Sequence, residues 1–229
     1  MNLTCLARQD FDSGAFGLNY YRVTRFDYGT LAGEVASLQL PFMADAKLPA
    51  QDVAGSKQLQ GMGFRKVCVQ PTFVAELSGM SGTAAGEPRG AMEFPLAELD
   101  AHAANFPFNR FGLDPQVTDN ERIEHQRRWV SNSMASAGIL KFLDQGAFVS
   151  FKLKESVVVI DLVSALPSAR GRGSLLLGRL KAWAAFKGFT RIEVTTESEN
   201  VPACLFYEKN GFRIAGAAVA FHMRRGKTS

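Results

Sequence analysis

The spacing of apolar residues changes along the chain, and each change marks an element. Between residues 148 and 154, Val149, Phe151 and Leu153 alternate with Ser150, Lys152 and Lys154, which predicts a half-exposed strand. It is paired as a hairpin with the next segment, Val157-Val158-Val159-Ile160-Asp161-Leu162-Val163. That β-branched run predicts a central strand buried on both faces. Pro167 closes it, and after Arg170-Gly171-Arg172-Gly173-Ser174 the period becomes helical. Leu176, Leu180 and Trp183 predict a helix over residues 175–186 that stops at Lys187-Gly188. Arg191-Ile192-Glu193-Val194-Thr195 is the next strand, and Glu199-Asn200-Val201-Pro202 opens a helix that ends at Gly211-Phe212.

Upstream the pattern is weaker. Residues 11–17 read as a glycine-punctuated loop and 19–26 as a strand. Leu31, Val35 and Leu38 sit at helical spacing before Pro41 and Pro49 break it, and nothing further is predicted up to residue 54. A short helix ends at Gly63-Phe64, and a strand follows over 67–77. Aligning Gly63-Phe64 on Gly211-Phe212 brings Arg65 onto Arg213, Phe73 onto Phe221 and Leu59 onto Tyr207, so the unit repeats. Residues 78–90 are small, polar and glycine-rich, the composition of a flexible connection. Beyond it a short helix over 96–104, an aromatic and charged loop over 106–115, and a helix capped by Asp119 and bearing Ile123, Trp129, Val130 and Met134 are expected. The expected division is an N-terminal domain over 1–80, a linker over 81–90 and a larger domain over 91–229.

Composition narrows the function. With 229 residues and 46% hydrophobic content the chain can bury a core. The net charge of +4 includes no basic run longer than Arg224-Arg225, so no nucleic-acid partner is expected. Cys5, Cys68 and Cys204 are scattered and lack metal-ligand spacing, so neither a disulfide framework nor a metal is expected. No apolar stretch has the length of a signal or a membrane span, and the expected location is the cytoplasm with no membrane partner.

The Arg170–Ser174 turn carries the chemistry. Glycines let backbone approach a ligand, the first amides of a helix lack partners, and two arginines add positive charge, so the turn is an anion site in outline. A dinucleotide fingerprint needs glycine where Leu176 stands, and a P-loop needs Lys then Ser or Thr where Arg179-Leu180 stand. With its flanking strand and helix the turn instead resembles the acyl-CoA-binding core of the GNAT N-acyltransferase superfamily. Arg170, Gly171, Arg172, Gly173 and Ser174 match its Arg-x-x-Gly-x-Gly/Ala signature, with Leu175 at the last small position. Asn200, Ala203, Tyr207, Gly211 and Phe212 are similar to the second motif, with Phe206 in place of leucine.

The resemblance implies a mixed α/β (α+β) GNAT fold with a smaller, degenerate N-terminal copy. It also implies acetyl-CoA or another short-chain acyl-CoA as co-substrate and no metal. It casts Tyr207 as the general acid and places Asn200 along the pantetheine arm, with Leu162 and Val163 as strand backbone near the thioester. The base is open between Asp161, His222 and a water chain, and Asp161 is carried as the catalytic candidate.

Arg110-Phe111-x-x-Asp114-Pro115, the helix with Trp129, and Ala15-Phe16-Gly17 are together similar to the TDP-fucosamine acetyltransferase group. That likeness implies a nucleotide-linked amino sugar acceptor, such as a dTDP-linked one, of lipopolysaccharide O-antigen biosynthesis. It makes Phe16, Gly17, Arg110, Asp114 and Trp129 acceptor-binding residues and is compatible with a homodimer. Two other functions fit the same motifs: acylation of a protein or small-molecule amine, and a non-catalytic CoA-binding module. Each site residue also has a plainer role: Tyr207 as packing, Arg110 and Asp114 as a local salt bridge, Trp129 as core, and His222 as a hydrogen-bonded strand residue.

Overall fold

The computed structural model describes residues 3–79 and 86–226. The first half contains β1 (Leu6–Arg8), α1 (Asp10–Phe16), β2 (Asn19–Val23), α2 (Tyr28–Ser37), β3 (Phe42–Pro49), α3 (Val53–Gly61) and β4 (Arg65–Glu76). The second contains α4 (Leu96–Ala103), α5 (Asp119–Ala135), β5 (Leu140–Asp144), β6 (Ala147–Lys154), β7 (Val157–Ala165), α6 (Arg172–Phe186), β8 (Arg191–Thr195), α7 (Val201–Lys209) and β9 (Arg213–Arg225). The fold is mixed α/β. Among the described residues no helix is long and apolar enough to cross a membrane.

The strands form one mixed sheet in the order β1-β2-β3-β9-β4-β8-β7-β6-β5. Apart from β5 this order is a palindrome. β1, β2, β3 and β4 take the places of β6, β7, β8 and β9, with an antiparallel first pair and a parallel second pair in each half. Each repeat gives its last strand to the other: β9 pairs with β3, and β4 pairs with β8, while β4 and β9 pair with each other at the centre.

Local geometry repeats as well. Asp52 caps α3 by accepting from the Gly55 amide at 2.8 Å, and Asn200 caps α7 by accepting from the Ala203 amide at 3.3 Å. The Phe64 amide donates to Leu59 O and the Phe212 amide to Tyr207 O, both at 3.0 Å, around Gly63 and Gly211 at φ 97° and 76°. Leu59 therefore does stand where Tyr207 stands.

Two apolar clusters follow this symmetry. α6 and α7 cover one with Leu176, Leu180, Trp183 and Tyr207, and α2 and α3 cover the other with Leu31, Val35 and Leu59. α4 and α5 pack on the opposite side of the sheet against Phe148 and Leu162.

Several expectations change. Residues 11–17 are not a loop: α1 spans Asp10–Phe16 and ends at Gly17 in the left-handed region, φ 64°. The stretch without a prediction holds α2 and the long strand β3. β7 alternates half-buried with buried residues rather than being buried on both faces, because one face borders a cleft and Lys152. Thr118, not Asp119, caps α5, in a capping box with Glu121. Of the proposed flexible connection, residues 80–85 lie outside the described residues. Residues 86–90 are tied down: Arg89 bridges Lys141, and Glu87 bonds Lys187 at 2.8 Å and the Trp183 indole at 3.3 Å.

Candidate active site

The site begins where β7 and β8 part. They pair only over Val157–Val159 with Arg191–Glu193, and β7 then runs on to Ala165 without a partner on that side. A bulge aids the divergence: Ser150 faces Leu162 while Phe151 faces Ile160, leaving Asp161 as the extra residue. The opening is a cleft of about 680 Å³ that Leu162, Val163, Arg170, Gly173, Asn200 and Tyr207 help to line.

At one end lies the start of α6. Gly171 adopts φ 90°, which favours glycine, and it caps the helix with no side-chain hydrogen bond. The amides of Arg172 and Gly173, first in the helix, have no intrahelical partner. Arg170 is exposed at the cleft and makes no ion pair among the described residues. Gly173 lets α6 approach α7, since a Cβ there would lie 3.3 Å from Phe206. Ser174 accepts a hydrogen bond from Asn210 at 3.2 Å. Arg172 points elsewhere, to Asp144 at 2.5 Å and Gln145 at 2.9 Å. Free amides, a glycine turn and an unpaired arginine together suit a diphosphate.

The corresponding corner of the first repeat is filled by protein. Asp27 caps α2 by accepting from the Thr30 amide, and the Tyr28 hydroxyl and Asp52 carboxylate occupy the space beside Gly55. An acidic side chain already sits where an anion would bind.

Deeper in the cleft, Tyr207 is buried among Phe73, Phe206 and Phe212. Its hydroxyl has no hydrogen-bond partner among the described residues. Burial, with Cys204 and Glu197 nearby, raises its pKa well above the usual phenol range, so it keeps its proton. Two carboxylates line the cleft. Asp161 accepts from Lys152 Nζ at 3.1 Å and its Oδ2 is buried without a partner. Glu197, just past the end of β8, accepts at Oε1 from Gln70 Nε2 at 3.0 Å and from the Arg110 amide at 3.1 Å. Its Oε2 has no partner among the described residues. Nothing in the local sequence singles out Glu197: it follows an ordinary strand, and Gln70 is far away in the chain.

The residues assigned to the acceptor divide. Trp129 lines the cleft and packs on Phe106 at 5.8 Å. Phe16 is instead core, against Tyr20, Phe111 and His125, and Gly17 ends α1. Arg110 and Asp114 do not pair with each other. Arg110 bonds Asp45 at 3.3 Å and lies over the Phe111 ring. Asp114 bonds His222 Nδ1 at 2.8 Å and Arg65 at 3.1 Å. Burial works against charge on Asp45, but Arg110 and Arg22 outweigh it and hold the carboxyl below its usual range. His222 is fully buried, its pKa lowered by that burial despite Asp114, and it does not line the cleft.

Residues 103–212 match the family model described as the acetyltransferase (GNAT) family. No curated protein matches the chain. A GCN5-related N-acetyltransferase from Kribbella flavida is 16% identical with a TM-score of 0.58, covering 99% of this chain and 89% of its own. A tandem GNAT protein from the clavulanic acid biosynthesis pathway is 14% identical with a TM-score of 0.57, covering 92% and 76%. A putative GNAT-family acetyltransferase from Novosphingobium aromaticivorans is 16% identical at 0.54, covering 99% and 91%. These likenesses are of fold, and with the family match they support the GNAT resemblance.

Proposed function

We propose that this chain is an acyl-CoA-dependent N-acyltransferase that acylates a primary amine of a small acceptor. The observation that carries the proposal is one cleft holding both a glycine-turned helix start without a side-chain cap, beside a free Arg170, and a protonated, unpartnered Tyr207. Acyl-CoA would bring the acyl thioester, and the residues present fit it. Arg170 and the amides of Arg172 and Gly173 hold the diphosphate. Asn200 borders the path between α6 and α7. Leu162 and Val163 offer strand backbone freed by the divergence of β7 and β8.

The transfer forms a nitrogen–carbon bond and breaks a carbon–sulfur bond. Tyr207 gives its proton to the departing sulfur, Glu197 takes the proton that the amine loses, and solvent restores both groups. Glu197 is preferred over Asp161 because it lines the cleft with one carboxylate oxygen free, whereas Asp161 is held by Lys152 and its other oxygen is buried. We extend the proposal to a nucleotide-linked amino sugar as acceptor. Phe106, Phe108 and Trp129 among the lining residues suit stacking on a sugar or a base. Arg110, committed to Asp45, does not anchor it.

The test is release of free thiol from acetyl-CoA and other short-chain acyl-CoAs. Each is offered TDP-linked amino sugars, free amino sugars, polyamines or a peptide amine. Amine-dependent release, fastest with a nucleotide-linked sugar, is expected. Release fastest with a peptide or polyamine would replace the acceptor class, and none with any amine would overturn the function.

A further inference from the structure

The exchange of strands gives the first repeat a place in the chemistry of the second. β4 lies beside β8 with Thr72 opposite Thr195, so the residues before Thr72 run past the end of β8. Main chain fixes them there: the Thr196 amide donates to Pro71 O at 3.2 Å and the Ser198 amide to Val69 O at 2.8 Å. Between these two carbonyls stands Gln70, only 4% exposed, with its Nε2 on Glu197 Oε1. Its own Oε1 is buried with no partner. An orphaned buried acceptor is costly, and an apolar side chain of the same shape would avoid it. The amide is thus kept at a cost, and what it provides in return is its bond to Glu197.

That bond sets the direction of the Glu197 carboxylate. With Gln70 Nε2 and the Arg110 amide both donating to Oε1, the side chain is held from two sides and Oε2 is the oxygen left free, on a residue that lines the cleft. We propose that Gln70 is a positioning residue for acyl transfer, through which the first repeat, with no cofactor slot of its own, orients the proton acceptor of the second. The proposal rests on the reading of Glu197 as that acceptor. A group that must meet a proton within hydrogen-bond reach gains from a fixed rotamer.

The test uses the full chain, acetyl-CoA and the amine of the panel above that releases thiol fastest. Gln70→Met loses the bond to Glu197 and sheds the orphaned acceptor, so it should melt within about 5 °C of the unsubstituted protein and bind CoA with unchanged affinity, while kcat falls at least about tenfold. Glu197→Gln should lower kcat further. The double variant should be no slower than Glu197→Gln alone, because a positioning residue has nothing left to position. A Gln70→Met protein with full kcat, or losses that multiply in the double variant, would overturn the role of Gln70 alone. Full activity in Glu197→Gln would overturn Glu197 as acceptor and Gln70 with it. Absence of transfer by the unsubstituted protein on every amine would overturn the parent function and both roles.

Discussion

Two glycines of α6 make opposite predictions. Gly171 caps the helix at φ 90° and ψ −25°, and a Cβ built there meets nothing within 4 Å. Gly171→Ala therefore brings no clash, only the backbone penalty of an L residue in the left-handed region, about 1–2 kcal/mol. For a chain of this length that is a fall in Tm of roughly 2–8 °C. Gly178 lies inside the same helix, exposed, also with nothing within 4 Å, and at an ordinary φ. Gly178→Ala removes the entropic cost of a helical glycine and should stabilise by about 0.5–1 kcal/mol.

Ligand affinity separates the pair again. If the substituted alanine of Gly171→Ala relaxes toward negative φ, the amides of Arg172 and Gly173 swing off the cleft. Losing one charge-assisted bond worth about 1.5–3 kcal/mol weakens CoA by tenfold or more. Gly178→Ala should leave CoA binding untouched. Thermal melts and calorimetric titration with CoA read both quantities. A Gly171→Ala protein with the parent's Tm and CoA affinity would refute the cradle, and equal destabilisation by both substitutions would refute the assignment of the strain to φ.

Other outcomes follow from the same geometry. Tyr207→Phe should lower kcat by about 100- to 10,000-fold with CoA affinity nearly intact, and full turnover would make Tyr207 a packing residue. Because burial raises the Tyr207 pKa, no alkaline fall in rate below about pH 10 should trace to it, which comparing the rate–pH profiles of the two proteins checks. Arg110→Ala leaves Asp45, only 1% exposed, with Arg22 as its remaining guanidinium, and should cost about 3 kcal/mol in urea denaturation, the low end for breaking a buried pair. His125 and His222 both have pKa values depressed by burial. Their contribution is present above the unfolded histidine value near 6.5 and is lost as pH falls toward the folded values, at up to about 1.4 kcal/mol per pH unit for each. Stability measured from pH 8 to 5 should decline below about 6.5, and a flat profile would contradict this.

The sequence was most legible where one local rule decided the outcome. The glycine turn, the helix opening at Glu199–Pro202 and the Gly211-Phe212 stop follow from backbone conformation, and they stand where the pattern puts them. β3 was hidden because Asp45 and Lys47 interrupt its apolar run, and Asp45 belongs to a buried ionic cluster rather than to a strand face seen alone. α1 was hidden by Gly14 and by Asp12 and Ser13, polar residues buried for the sake of His125 and the Tyr20 amide. Arg110 and Asp114 carry charge in a loop, the usual mark of ligand binding, yet both are spent on tying that loop to the sheet. Glu197 and Gln70 had no local signature at all. They meet only because strands change places between the repeats, and no window along the chain contains both.

The exchange also sets a timetable. During synthesis β3 and β4 emerge early, but the ladder between them belongs to β9, which is made after the other eight strands of the sheet. Until then the inner edges of β3 and β4 present unpaired amides and carbonyls, the kind of edge that recruits foreign strands. The central pairing joins residues that are far apart in the chain, so it is paid for in loop closure and forms slowly. A nascent first repeat must wait, open-edged, for its counterpart, and of the nine strands in this sheet the last to be made is the one that closes it.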